Sequence, residues 1–372
     1  MGTLVVSDLH IGTAAEVDLL RRPELRAALT DRLRAGDVDR LVVLGDALEL
    51  REVPVHRAAE IAEPVLADLG AALGAGRELI LAGGNHDHNL LAGWIEQHLM
   101  QPQSPAPLGF EERIEPSVAG PIAVRLQQAA LPAELSFAYP GLWLRDDVYA
   151  IHGHYLDLHT TVPTIERLAA GAMARALAPI PEQGATPDDY EAVLAPLYAW
   201  MYALAQRSND GVARAGSRSS ARAWVALAGE GRHRQPVRAG ALAAGLFGAV
   251  ALLNRAGVGP LRAELSGSAL RRGSLTGMRE ALHRLDLHAP HVVFGHTHRS
   301  GPWPGDDEAE WRTAAGSRLI NTGSWVYQRH FLSERPGAGP YWPGTAVFVG
   351  EDGPPRLERL LDDRTHAQLR PT

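Results

Sequence analysis

Several short apolar runs in this chain end in the same way, and that pattern limits the folds open to it. Thr3–Val6 runs into Ser7-Asp8-Leu9-His10, and Arg40–Leu44 into Gly45-Asp46-Ala47-Leu48-Glu49. Leu79–Ala82 runs into Gly83-Gly84-Asn85-His86-Asp87-His88, and His291–Phe294 into Gly295-His296-Thr297-His298-Arg299. A hairpin-like stretch, Leu142–Ile151 with its turn at Asp146-Asp147, delivers His152-Gly153-His154. Runs this short and this apolar read as buried strands. Between the first three lie segments of helical spacing, about Glu16–Arg34 and about Val55–Ala75, the latter with Ile61, Val65, Leu69 and Leu73 at four-residue steps. The first hundred residues therefore read β-α-β-α-β. That is the α/β class, in which ligands gather at the carboxyl ends of strands.

The polar residues at those strand ends are Asp8, His10, Asp46, Asn85, His86, His152, His296 and His298. A lone histidine at a strand end is usually capped or solvated. Five such ends in one chain, all carrying hard or borderline ligands, read as a metal site. Asp8 and His10 are two apart, so on an extended strand end they would point the same way. The chain has no cysteine, which excludes thiolate sites and leaves imidazole, carboxylate and amide oxygen as the available ligands. Of the remaining histidines near these motifs, His88 and His159 read as solvated or supporting groups, and His154 as a candidate for touching substrate. Arg299 reads either as a phosphate clamp or as a member of a surface ion pair.

The rest of the chain is less legible. Residues 101–140 are rich in Pro and Gly with mixed apolar runs, and no element is assigned there. Helical spacing dominates from about Thr164 to Leu285. A helix start at Thr186-Pro187-Asp188-Asp189 is followed by the stripe Tyr190, Val193, Leu194, Leu197, Met201 and Leu204, as expected for a core-facing helix. Leu319–Trp325 and Thr345–Val349 read as two further strands, and the last twenty residues as a polar stretch over the surface. The expected organisation is a core of residues 1–154 and 289–360, a helical insertion over 155–288, and a surface tail over 361–372.

All 36 basic residues are arginine, and the net charge of −7 excludes generic binding to polyanions by the whole molecule. Charge is nevertheless uneven. From Arg207 to Arg272 there are eleven arginines against Asp210, Glu230 and Glu264, a net of +8. Within this segment Ala239–Leu253 has no polar side chain. As a helix it would be about 22 Å long, short of a hydrocarbon core of roughly 30 Å. Gly240, Ala244 and Gly248 would form a small-residue face. The run is expected to be a buried helix or a homodimer contact. The alternative is an apolar, basic lid that admits a lipid-linked phosphate or rests peripherally on an anionic membrane. The N-terminus lacks a basic region followed by a long apolar core, so a cytoplasmic protein is expected.

In their order and spacing, Asp8-Leu9-His10, Gly45-Asp46-Ala47-Leu48-Glu49, Gly84-Asn85-His86-Asp87, His152-Gly153-His154 and Gly295-His296-Thr297-His298 resemble the calcineurin-like metallophosphoesterase superfamily. The resemblance implies a four-layered α/β/β/α fold holding two divalent metal ions. One would be held by Asp8, His10, Asp46 and His298, the other by Asp46, Asn85, His152 and His296, with Asp46 bridging. His86 would be the catalytic histidine, oriented by Asp87. The implied reaction is hydrolysis of a phosphomonoester, phosphodiester or pyrophosphate bond by in-line attack of a metal-bridging hydroxide. Purple acid phosphatases carry a tyrosine three residues after the bridging Asp, as a ligand to ferric iron. Glu49 stands there in this chain, which favours a divalent pair, Mn²⁺ first, with Mg²⁺, Zn²⁺ or Fe²⁺ as alternatives. The motifs look closest to the subgroup that includes UDP-2,3-diacylglucosamine hydrolases. That subgroup usually has arginine where His86 stands and Asp where His154 stands, so its substrate does not transfer. A nuclease using the arginine-rich insertion to bind nucleic acid is the alternative enzyme. Against it, Trp200 and Trp224 are the only tryptophans in the insertion. A non-catalytic metal-binding scaffold is the third reading.

Overall fold

In the computed structural model, residues 2–100, 107–162, 165–177, 179–207, 250–255, 259–262 and 267–371 are described. They form a mixed α/β structure built on a large sheet. Its strands are β1 (Thr3–Val6), β2 (Arg40–Leu44), β3 (Glu78–Ala82), β4 (Glu111–Ile114), β5 (Glu134–Arg145), β6 (Val148–Ile151), β7 (His291–Phe294), β8 (Arg318–Asn321), β9 (Thr345–Val349) and β10 (Arg356–Arg359). They lie in the order β10-β9-β1-β2-β3-β5-β6-β7-β8, with β4 paired to β5. The three N-terminal strands are parallel, in the register Val5↔Val42 and Val42↔Ile80. The helices that cross over between them are α1 (Pro23–Leu33) and α2 (Val55–Leu73).

These strands are apolar at nearly every position because both faces are covered. Alternate residues serve different clusters, as the two-residue period of a strand requires. Leu4, Val6, Leu41, Val43, Leu79 and Leu81 pack with Leu29 and Leu33 of α1 and Ala62, Val65 and Leu69 of α2. Val5, Val42, Leu44 and Ile80 pack instead with Leu142, Val148, Ala150, Val293 and Ile320 from β5 to β8. β5 joins the two ladders. Its first half runs parallel to β3 from Glu78↔Glu134 to Ala82↔Ala138, and from Gly141 it pairs antiparallel with β6.

The structure departs from the expected elements in three places. The first helix was expected from Glu16, but only a short 3-10 turn (Leu19–Arg21) precedes α1. Residues 17–19 are taken up by strand-like pairing: Leu19 N–H donates to Trp325 O and Tyr327 N–H to Val17 O. Asp18 meanwhile accepts from Gly12 N–H and Thr13 Oγ1. Second, the unassigned stretch 101–140, which follows α3 (Ala92–Met100), contains β4, α4 (Pro116–Ala119), α5 (Pro121–Ala129) and the first half of β5. Pro116 and Pro121 open their helices, where proline is tolerated. Third, the C-terminal residues do not trail over the surface. β10 pairs with β9, Leu361 and Leu369 are fully buried, and Thr365 closes a capping box with Gln368 at the start of the last helix.

By internal contacts the chain separates into two units. One comprises Met1–His154, Tyr198–Arg214 and His288–Thr372, and the other Tyr155–Leu197 and Ala215–Leu287. The second contains α6 (Ile165–Ala176), the N-terminal part of α7 (Pro187–Ala205) and α8 (Gly267–Arg284). The start of α7 is as expected, with Asp189 accepting from the Thr186 N–H and hydroxyl. The last helix, α9, is His366–Leu369 in the first unit. Most of the basic segment and residues 239–249 of the apolar run lie outside the described residues, and with them the expected lid, membrane, dimer and nucleic-acid contacts. Residues 250–255 are helical. Among the described residues no helix is long and apolar enough to cross a membrane.

Ile80 is fully buried in the cluster shared by the two ladders. Ile80→Ala is expected to lower the unfolding free energy by about 2–5 kcal/mol in urea titration. A loss below about 0.5 kcal/mol would show that this cluster is not closely packed.

Candidate metal centre

The loops after β1, β2 and β7 take backbone conformations that side-chain-bearing residues rarely adopt. Among the described residues, seven other than glycine have φ in the left-handed region, and five of them are Asp8 (53°), His10 (45°), Asp46 (53°), His296 (68°) and His298 (56°). Such conformations cost about 1–3 kcal/mol each and persist only where the surroundings enforce them, commonly at functional sites. Here the enforcement is a set of backbone bonds between loops. Asp8 N–H donates to Gly45 O, His10 N–H to Asp46 O, Ile11 N–H to Ala47 O, and Trp325 N–H to Asp8 O. Asp8 and His10 are therefore brought together by loop geometry after β1 has ended, and not by alternation along a strand as the sequence suggested.

The loops approach closely because glycine removes side chains from the contacts. A Cβ on Gly84 would stand 2.3 Å from Asp46 Oδ1, and one on Gly45 would stand 2.3 Å from the His152 ring. What converges is three groups of candidate ligands: Asp8, His10 and His298; Asp46, His152 and His296; and His10, Glu49 and His86. His298 Nε2 is 3.1 Å from His10 Nε2 and 3.3 Å from Asp8 Oδ1. Asp46 Oδ2 is 3.3 Å from His152 Nε2 and 3.6 Å from His10 Nε2, so one carboxylate oxygen faces both of the first two groups. Asn85 Oδ1 lies 3.1 Å from His152 Nε2 and 3.2 Å from His296 Nδ1.

The opposite ring nitrogens are occupied by acceptors, which fixes the rings as ligating histidines are usually fixed. His152 Nδ1 donates to Leu44 O at 2.9 Å, His10 Nδ1 to Glu49 Oε2 at 3.0 Å, and His298 Nδ1 to Gln328 Oε1 at 3.2 Å. With those protons assigned, Nε2 lone pairs of His10, His152 and His298 point at one another and at carboxylate oxygens. Asp8 Oδ1 is fully buried and makes no hydrogen bond. The other oxygen, Oδ2, is held by Ser7 Oγ and by the His296 N–H at 2.9 Å. Converging lone pairs on buried oxygen and nitrogen atoms are reconciled by cations, and the imidazole, carboxylate and amide types suit divalent ions.

Protons fill the same electrostatic need in the absence of ions. Burial opposes charge on His10 and His152. Glu49, Asp46 and Asp8 outweigh it at His10, raising it to about 9, and Asp46 and Asp8 do so at His152, raising it to about 10. Burial would raise Asp8, but His298 and His152 hold it down at about 2. Asp46 and Glu49 are likewise held below the usual carboxylate range by histidines, against burial. Burial lowers His86; Arg51 and His10 push the same way, against Glu49 and Asp46.

Asp87 does not orient His86. Its Oδ2 accepts from Ala47 N–H at 2.7 Å and Leu48 N–H, and its Oδ1 from Gly84 N–H at 2.7 Å, so it ties the loop after β2 to the loop after β3. Burial, then Asp46, raises its carboxyl to about 6. The group that holds His86 is Glu49, whose Oε2 is 2.7 Å from His86 Nδ1 and also accepts from His10. Arg299 is no free clamp and no surface pair: it forms a bidentate ion pair with Asp306 at 2.9 and 2.7 Å, both side chains nearly buried, and lies over the Trp311 ring. His154 is wholly buried between the His152 and Tyr198 rings, which leaves it no surface to offer a substrate. His88 packs against Tyr139 and Tyr198, and His159 bonds Tyr190 in the second unit.

No protein-family model matches this chain, and no curated protein matches it. Among solved structures, a dimetal phosphatase from Danio rerio is similar at 12% identity, covering 96% of this chain and 98% of that one, with a TM-score of 0.32. A likeness that loose carries no argument.

Two outcomes are expected. Gly84→Ala drives a methyl into Asp46, so it should weaken Mn²⁺ binding at least about tenfold in calorimetric titration, the scale seen when groups supporting a metal ligand are disturbed; unchanged affinity would mean that the carboxylate does not ligate. The second concerns pH. His10 and His152 have raised values, so in chelator they stabilise the fold fully below their ordinary 6.5, and this is lost as pH rises through about 9 and 10. Bound cations need deprotonated rings. The gain in Tm on adding Mn²⁺ should therefore grow from pH 6.5 to 9, and a gain independent of pH would contradict the linkage.

Proposed function

We propose that this chain is a phosphoesterase dependent on two divalent cations, hydrolysing a phosphomonoester, phosphodiester or pyrophosphate bond. The observation that carries the reading is the shared oxygen Asp46 Oδ2, which faces His152 on one side and His10 on the other beside the ring of His86. Asp8, His10, Asp46 and His298 would hold one cation, and Asp46, Asn85, His152 and His296 the other. Mn²⁺ is the first expectation, with Mg²⁺, Zn²⁺ or Fe²⁺ as alternatives. A pair of such ions, when bound, activates water near neutral pH and neutralises phosphoryl oxygens. The architecture fits a four-layered α/β/β/α reading with a helical insertion, supported by the apolar cluster that both ladders share.

The chain's own groups then have separable tasks. Glu49 holds His86 through Nδ1 and so directs Nε2 to proton transfer at the leaving-group oxygen. The His86 ring is the more accessible member of this set, its side chain 23% exposed against 6% for His10. The backbone N–H of His86 donates to Asp46 Oδ1 at 2.8 Å, which fixes the shared carboxylate's rotation. Asp87 joins the loops that carry Asp46 and Asn85. Asn85 supplies a neutral oxygen, which keeps the summed negative charge of the ligands low.

Chelator-treated protein is expected to hydrolyse bis(p-nitrophenyl) phosphate or p-nitrophenyl phosphate only after Mn²⁺ is restored. His86→Ala should lower kcat by roughly 10²–10⁴ while both ions remain bound, the usual scale for general acid–base groups. Absence of turnover of both substrates across all four metals would point to a binding scaffold and remove the proposal.

A further inference from the structure

Arg51 follows the β2 loop two residues after Glu49 and is partly exposed. Its backbone N–H donates to Glu49 Oε1 at 2.9 Å, which fixes it to the carboxylate that holds His10 and His86. It is near enough to His86 to oppose that ring's charge. Its guanidinium is poorly served. Nε is buried and makes no hydrogen bond, and Nη2 meets Met201 Sδ, a weak acceptor. Among the described residues no carboxylate pairs with it, whereas Arg299, Arg26, Arg32 and Arg145 each have one.

Nη1 depends on which way the Asn85 amide faces. With the amide oxygen turned away from the histidines, it accepts from Arg51 Nη1 at 2.6 Å, and the amide nitrogen donates to His296, Asp46 and His152. With Oδ1 facing His152 and His296, as a cation ligand must, the amide nitrogen faces Nη1, donor against donor. The two orientations cannot both be served. Using Asn85 oxygen for a cation takes from Arg51 its one oxygen acceptor.

A guanidinium left in this state, partly exposed beside a cation site, is open to an anion. Arginine's planar fork matches phosphoryl oxygens. We infer that Arg51 is a substrate-binding residue that donates to a phosphoryl oxygen, and that it becomes available for this when Asn85 turns its oxygen to a cation. The inference rests on the phosphoesterase reading above.

The test compares wild type with Arg51→Met and Arg51→Lys, each loaded with Mn²⁺. Bound metal is measured by mass spectrometry, inorganic phosphate affinity by calorimetry, and KM and kcat with p-nitrophenyl phosphate. Both variants should keep two ions per chain. Phosphate should bind Arg51→Met roughly tenfold to a hundredfold more weakly, as loss of a charged hydrogen bond implies, and KM should rise with it. Arg51→Lys keeps the charge without the fork and should fall between. Should Arg51→Met not fold, Arg51→Lys carries the comparison. Phosphate affinity within twofold of wild type in a variant holding both ions overturns the inference, as does loss of the ions, which would make Arg51 a positioning residue for Asn85. Wild type that binds no phosphate also overturns it. If wild type binds phosphate through Arg51 yet hydrolyses nothing, the phosphoesterase reading fails and the anion site stands. If wild type hydrolyses and Arg51→Met is unchanged, only the inference fails.

Discussion

The structure depends on three buried carboxylates, Asp8, Asp46 and Glu49, packed among imidazole rings beyond the ends of the parallel strands β1 and β2. Burying carboxylate charge is expensive unless positive charge is brought to it. Here the compensation is supplied by histidines from four separate loops, and the backbone after β1, β2 and β7 takes left-handed conformations at Asp8, His10, Asp46, His296 and His298. The cost falls on the fold, which answers with inter-loop hydrogen bonds and with apolar packing on both faces of β1, β2 and β3. Stability and the site are thus in opposition at these positions. That is the arrangement expected when strain and buried charge are retained for chemistry.

The strand ends were legible because each is a local event. An apolar run followed by glycine and a ligand-type residue can be read without knowing the fold, and Asp8, His10, Asp46, Asn85, His152, His296 and His298 do converge. Roles that depend on neighbours in space were less legible. Asp87 adjoins His86 in sequence, but its carboxylate is directed to the backbone of the β2 loop, while Glu49, 37 residues away, reaches the ring. Glu49 carried a partial signal: it occupies the place of a ligand in a related pattern. Arg299 sits next to a candidate ligand, yet the aspartate that neutralises it lies seven residues on, beyond what motif reading sees. The C-terminal stretch was misjudged because two buried leucines in a polar run give no periodic pattern.

The candidate centre also shows how a few supporting groups fix many degrees of freedom. Leu44 O, Glu49 and Gln328 assign the tautomers of three rings, and Ser7 and the His296 N–H hold one oxygen of Asp8. Asn85 is the exception. Its amide has two competing sets of partners, His152, His296 and Asp46 on one side and Arg51 on the other. Such an ambivalent group is where binding of an ion can be felt by a neighbour without movement of the backbone.

The central claim is that two cations share Asp46. The most direct measurement is the metal stoichiometry of the purified chain and of Asp46→Asn, after equilibration with Mn²⁺ and removal of free ion. The account predicts two ions per chain in wild type and weakening at both sites in the variant, because one oxygen faces both groups. A single ion in wild type, or a variant that retains one site at full affinity, would contradict it.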